Sequence, residues 1–421
     1  MIPNGFAEVL KNELKRVDDA SVTKRNERVI ETFEFPSGRA PRAIINGKQY
    51  VLFNANDYLG LRFNEKVKAA EHDASQKYGA GPGGVRFICG TSAVHVELER
   101  ALAAFHGRDA GMVFSSAFAL NLGVLHALLK GQSKDSLVSS NVLVVSDELN
   151  HRSIIDGIRV AGLPSEQKAI FKHLNLADLR RVLKENIGKY ARAVVITDGI
   201  FSMLGECQDL GALQQVADEF SSQYPEGVLT VVDDSHGVAA YGRSGRGAEE
   251  ATDAKCTLLI GTLGKGFGAD GGYVVGDRLV IDYLRESVAS YIYSNPVSPG
   301  TAGAALAAVT LVDSPDGKKL LEKVHRNVER FMAGASKAGY TFAAASSHPI
   351  QPLLIGDAAK TKALVAELAA SGYLVTGINY PVVPKGKDEI RVQLSAAHSD
   401  EDVDEFLAAL AAAGKKLQIT A

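Results

Sequence analysis

Four short runs without a charged residue, VLVV (142–145), AVVIT (193–197), VLTVV (228–232) and TLLI (257–260), constrain this chain more than any other feature. A strand apolar on both faces must be covered on both faces, and a parallel sheet wrapped by crossover helices meets that demand. The stretches between the runs, such as NLADLRRVLKENI (175–187) and residues 210–220, have the composition and length of helices. This alternation predicts βαβ units, hence an α/β fold with a large, doubly wound, mostly parallel sheet over residues 56–298.

Beyond residue 298 the pattern changes. Leu321, Val324, Val328 and Phe331 make one helical stripe after the breakers Pro315 and Gly317. The strand-like segments 352–355 and 390–394 alternate with helical segments 358–371 and 400–413, and Ser399 stands where an N-cap belongs. A smaller C-terminal α+β domain is expected over 299–421, with residues 1–55 as an N-terminal segment packing on it. The length of 421 residues accommodates these parts at about 150 residues per domain.

Charge narrows the partners. Lys and Arg number 46 against 49 Asp and Glu, a net −3, which argues against a nucleic-acid or membrane-surface partner and leaves room for one local anion site. Three cysteines without CxxC spacing fit a reducing compartment and exclude a disulfide scaffold or a clustered zinc site, so no metal is expected. No apolar run approaches the ~20 residues that span a bilayer. The first twenty residues carry Glu8, Glu13, Asp18 and Asp19, unlike a secretory or transit peptide. The expected setting is cytoplasmic.

In open α/β sheets, ligands bind beyond the carboxyl ends of the strands, so reactive residues just after the apolar runs are the candidates for chemistry. Asp198 and Ser202 follow AVVIT, Asp233 and His236 follow VLTVV, and Lys265 follows TLLI. Lys265 lies among Gly261, Gly264, Gly266 and Gly268, where backbone can approach a ligand closely. Two readings stay open for it: a surface lysine in a flexible turn, or a Schiff-base lysine with a lowered pKa at the end of a buried strand. Asp233 is either a turn residue or a carboxylate that keeps a heteroaromatic nitrogen protonated. His236 is either a hydrogen-bonded, partly buried histidine or a donor to a phenolate-like oxygen. Ser115, Ser116 and the amides of Ala117 and Phe118 mark a helix start that serves as a cap or as an anion site. His151 is a cap, a core histidine, or a flat ring stacked on a ligand.

The loop GAGPGG (79–84) imitates a dinucleotide fingerprint, which must follow a strand and open a helix. Here it follows EKVKAAEHDASQKY, a helical composition, so a dinucleotide-dependent oxidoreductase is the distant alternative.

Taken jointly, NANDYLGL (54–61), GGVRFICGT (83–91), LNHRSIIDG (149–157), TDGIFSM (197–203), VDDSHG (232–237), GTLGKGFG (261–268), YSNPVSP (293–299) and IRVQLSAAH (390–398) resemble the pyridoxal-phosphate-dependent α-oxoamine synthases. These are fold-type I, aminotransferase-like acyltransferases, and the resemblance runs from about residue 20 onward without a large insertion. VRFICGT, LNHRSIIDG, VTGINYPVVPKG (375–386) and RVQLSAAH look most like the branch of 2-amino-3-ketobutyrate CoA ligases, the glycine C-acetyltransferases.

The resemblance implies a homodimer with its site at the interface, pyridoxal 5′-phosphate as cofactor, and an amino acid and an acyl-CoA as substrates. Lys265 would join the cofactor aldehyde, Asp233 would pair with its ring nitrogen, His236 with its phenolic oxygen, and His151 would stack on the ring, with Ser202 nearby. Ser116, Ala117, Phe118 and Thr262 would bind the phosphate, joined by Ser294 of the partner subunit. Asn56 and Arg391 would hold the substrate carboxylate. The implied reaction is 2-amino-3-ketobutyrate plus CoA giving glycine plus acetyl-CoA, in either direction. Leu204, Ala117, Ala119 and Asp270 depart from the ketobutyrate-ligase pattern, which keeps open a sister synthase using alanine, serine or a longer acyl-CoA.

Overall fold

A computed structural model describes residues 2–19, 23–380 and 382–420. Its centre is a seven-stranded sheet: β1 (Ala110–Phe114), β2 (Val142–Asp147), β3 (Lys168–Phe171), β4 (Arg192–Asp198), β5 (Val228–Asp233), β6 (Leu258–Thr262) and β7 (Gly272–Gly276). The spatial order is β1-β7-β6-β5-β4-β2-β3. The pairs from β3 across to β6 are parallel, and β7 alone runs antiparallel to both its neighbours. The four apolar runs are all inner strands, as their lack of polar residues demands.

Alternation along β2 shows why the sheet is wound on both faces. Val142 and Val144 pack with Leu120, Val124 and Ile154 of helices Ala117–Lys130 and Arg152–Val160. Leu143 and Val145 point the other way, against Leu179, Val182, Leu213 and Val216 of helices Leu176–Glu185 and Leu210–Ser221.

Two smaller sheets flank this core. Ile350–Leu354 and Glu389–Gln393 pair antiparallel, edged by Thr341–Phe342 and Thr376–Ile378. The other sheet joins Thr32–Glu34, Arg42–Ile45 and Lys48–Leu52 to Tyr373–Leu374, so the early strands pair with the late part of the chain. Helix Asp400–Lys416 packs on helices Pro315–Lys337 and Ala358–Ala370, with Ser399 as its N-cap in a reciprocal capping box with Asp402. The helix bearing the Leu321–Phe331 stripe starts earlier than its breakers suggest. It spans Pro315–Lys337, with Ser314 as cap, Pro315 in its first turn and Gly317 inside it. Proline suits that first turn because its missing N–H has no partner there. EKVKAAEHDASQKY is a helix (Glu65–Tyr78), so the glycines at 79–84 follow a helix as expected. Among the described residues no helix is long and apolar enough to cross a membrane.

Candidate active site

The carboxyl ends of the parallel strands converge. Ser116 follows β1, His151 follows β2, Asp198 closes β4, Asp233 closes β5, and Thr262 closes β6 with Lys265 just beyond. The β4–β5 register sets Asp198 beside Asp233. Ser116, Ala117, Phe118, His151, Ser202, Asp233, His236, Thr262 and Lys265 line one cavity of about 260 Å³, completed by Ser153, Asp198, Ile200 and Ser235.

The buried Asp233 carboxylate is held on both oxygens. Oδ1 accepts the Ser235 backbone N–H at 3.0 Å, and Oδ2 accepts the Asn121 side-chain amide at 2.6 Å. The same amide donates to Ser153 Oγ at 2.8 Å, and that oxygen lies 2.7 Å from His151 Nδ1. The His151 backbone N–H donates to Asp198 Oδ2 at 3.0 Å. Acids and imidazole thus form one hydrogen-bonded unit whose members come from three strand ends and two helices.

Opposite stands the start of helix Ala117–Lys130. Ser116 Oγ accepts the Ala119 N–H at 3.1 Å, while the N–H groups of Ala117 and Phe118 have no carbonyl within their own helix. These amides and the helix dipole favour an anion. Gly272 of β7 permits the approach, since a Cβ there would collide with the Ala117 backbone nitrogen. Thr262 Oγ1 donates to the Gly271 carbonyl at 3.0 Å and fixes the turn that carries Lys265.

Burial dominates the electrostatics. It lowers the Lys265 amine to about 8, aided by the charge of Arg391 and opposed by Asp233 and Asp198. Burial pushes His236 far below the usual histidine range, and the charges of Lys265 and Arg391 push the same way. His151 is lowered by burial and by Lys265 against the pull of Asp233. Burial and the neighbouring Asp233 hold Asp198 well above the usual carboxylate range. A partly neutral amine among neutral imidazoles is a nucleophile, whereas a fully protonated lysine is not.

Three of the residues singled out in the sequence lie outside that wall. Arg391 sits on strand Glu389–Gln393, and its Nε and Nη2 are buried without a partner among the described residues. Asn56 Oδ1 accepts the Gln393 side-chain amide and lies 3.3 Å from the Tyr58 hydroxyl oxygen. Ser294 is exposed on its own chain, just past helix Ala289–Ile292. A buried guanidinium with free donors calls for a carboxylate. Glu389, two residues earlier on the same strand face, is a weak rival for it, because burial raises its carboxyl to about 7 against the pull of Arg391.

Sequence reasoning missed Asn121, Tyr58 and Glu389. Asn121 is wholly buried in an apolar helix, and its only signal was an amide among leucines and alanines. Tyr58 lies in NANDYLGL, a quoted motif in which only Asn56 received a role.

The residues present fit pyridoxal phosphate: a buried amine for the aldehyde, a fixed carboxylate for the ring nitrogen, and helix amides for the phosphate. Ser235 Oγ, buried in the cavity wall with no partner among the described residues, leaves a further polar atom for a ligand.

Comparison with known proteins agrees. The model of the family "Aminotransferase class I and II" matches residues 48–410. The 8-amino-7-oxononanoate synthase of Symbiobacterium thermophilum is 37% identical over 386 residues, 91% of this chain and 93% of that one. The mitochondrial 2-amino-3-ketobutyrate coenzyme A ligase of Bos taurus is 38% identical over 413 residues, 97% of this chain and 92% of its own length. A solved serine palmitoyltransferase of Sphingomonas wittichii superposes with a TM-score of 0.86 at 25% identity, covering 99% of both chains. The chain belongs to the aminotransferase class I and II family and, within it, to the pyridoxal-phosphate-dependent α-oxoamine synthases, acyltransferases of fold type I.

Proposed function

We propose that the protein is a glycine C-acetyltransferase, interconverting 2-amino-3-ketobutyrate plus CoA with glycine plus acetyl-CoA. The observation that best supports this reading is the likeness to a 2-amino-3-ketobutyrate coenzyme A ligase, 38% identical over nearly the whole chain. The Bos taurus relative, covered at 97% of this chain, carries the same activity in its name.

Bound pyridoxal phosphate supplies an electron sink for negative charge developing at the substrate α-carbon. Around it, Asp233 holds a proton at the ring nitrogen, His236 donates to the phenolic oxygen, and His151 stacks on the ring beside Ser202. Ser116, Ala117, Phe118 and Thr262 hold the phosphate, with Ser294 of the partner subunit. Lys265 anchors the aldehyde and moves the proton at the α-carbon. Arg391 and Asn56 grip the carboxylate and so fix which α-carbon bond reacts.

A homodimer is part of this reading, supported by the exposed apolar side chains of Phe87 and Ile88, at 68% and 70%. So are a cytoplasmic setting and a division at residues 1–55, 56–298 and 299–421.

The second reading is a sister synthase that uses alanine or serine, or a longer acyl-CoA. It is favoured by the 37% identity to the Symbiobacterium enzyme and by Leu204, Ala117, Ala119 and Asp270.

Thiol release from a panel of amino acids against acyl-CoAs of rising length decides between them. Glycine with acetyl-CoA is expected to have the highest kcat/KM. A tenfold or greater preference for alanine or serine with a longer thioester overturns the acetyltransferase assignment and leaves the family intact.

A further inference from the structure

His236 faces the cavity with a ring whose two nitrogens are not equivalent. Nδ1 lies 2.7 Å from the hydroxyl of Tyr58, a wholly buried residue, whereas Nε2 bonds to no side chain among the described residues. The backbone carbonyl of His236 accepts from His348 Nε2 at 2.8 Å, and His348 Nδ1 in turn accepts the Ile350 N–H at 3.1 Å. Backbone and ring are therefore fixed by residues remote in sequence.

The Tyr58 oxygen has one proton to give, and two acceptors lie within reach. Asn56 Oδ1, at 3.3 Å, already receives the Gln393 amide, whereas His236 Nδ1 stands at 2.7 Å. A 2.7 Å contact suits a hydroxyl donor, and the Asn56 oxygen is already occupied by the Gln393 amide, so donation to His236 is favoured. Arg391 and Gln393, both donors near the phenol, favour negative charge on its oxygen. Burial nevertheless raises the phenol to about 12, so it remains a donor at working pH.

We propose that Tyr58 is a positioning residue that donates to His236 Nδ1, locking the imidazole as the Nε2–H tautomer with that hydrogen available to the cofactor oxygen. The tautomer claim concerns the chain itself; only its use against the cofactor rests on the function proposed above. Tyr58 also links the carboxylate-binding residues Asn56 and Arg391 to the cofactor side of the site.

The test is nitrogen NMR of the full chain labelled at histidine, with and without pyridoxal phosphate, the His236 signal being assigned by its loss in His236→Gln. Wild type should show His236 neutral and protonated at Nε2 even without cofactor. Tyr58→Phe, which keeps the ring and removes only the donor, should shift the Nδ1 resonance and mix the tautomers. It should also raise the pyridoxal phosphate dissociation constant roughly tenfold, the effect of one unpaired buried acceptor. A wild-type spectrum with the proton on Nδ1 overturns the proposal, as does an unchanged His236 spectrum in Tyr58→Phe. Because the wild-type reading does not depend on Tyr58→Phe, poor folding of that variant leaves the test decisive. If the tautomer is as stated but thiol release fails for every substrate pair, the proposed function is wrong and the tautomer claim stands.

Discussion

Lys265 carries its amine at about 8, against about 10.4 for a free lysine, because burial and Arg391 disfavour its charge more than Asp233 and Asp198 favour it. Only the neutral amine attacks an aldehyde. Covalent capture of pyridoxal phosphate by the apoprotein, followed by stopped-flow absorbance, should therefore quicken about tenfold per pH unit up to about 8 and then level off. A rate still climbing at pH 10 would show that the site leaves this amine unperturbed; Lys265→Ala should show no covalent capture at any pH. Lys265 and Asp233 were legible because each follows an apolar run. Tyr58 was not, because its role depends on a contact with a residue 178 positions away.

Elements were read well where one periodicity dominates and poorly where polar residues end them. β2 runs past VLVV through Ser146 and Asp147, polar residues that bond the Asn150 amide and the Leu149 N–H. Strand ends of that kind hold the loop that follows rather than the core, so hydrophobic pattern understates them. Helix Asp400–Lys416 is the converse case. Its expected cap formed, yet the ion pairs at its start were invisible in the sequence: Asp402 Oδ1 receives Arg39 at 2.8 Å and Arg42 at 2.7 Å, and Oδ2 receives the Ala40 N–H at 2.8 Å. Burial works to raise the Asp402 carboxyl, but these bonds and the Ser399 N–H outweigh it and hold it well below the usual range. A depressed carboxylate adds stability above its unfolded pKa and loses it as pH falls through the folded one. Asp402→Asn should cost roughly 3 kcal/mol in urea unfolding at pH 7, as for a broken buried pair. The difference from wild type should shrink below about pH 4. A difference constant from pH 7 to pH 3 would rule the ion pairs out as its source.

On the scale of the molecule, the two ends of the reaction centre come from different bodies of structure. The residues proposed to hold the cofactor gather at the strand ends of the central sheet, whereas Arg391 belongs to the small antiparallel sheet. Arg391→Ala should accordingly raise the KM for the amino acid at least tenfold while leaving the KM for the thioester within about twofold, the mark of lost carboxylate anchoring. Equal increases in both would detach Arg391 from the amino acid. Four of the seven strands of the central sheet were legible as apolar runs, whereas Ala110–Phe114, Lys168–Phe171 and the antiparallel Gly272–Gly276 were not. The second sheet, joining Lys48–Leu52 to Tyr373–Leu374, was not, since such short strands acquire meaning only from each other.

That last pairing has a consequence for how the protein is made. On the ribosome, the ribbon of residues 32–52 emerges before its outer partner, and Val51 and Leu52 gain neighbours on their open edge only when Tyr373 and Leu374 leave the exit tunnel. For most of translation the edge of that ribbon is bare. The nascent chain must therefore be shielded there from neighbours on the same messenger until residues 373 and 374 have been synthesised.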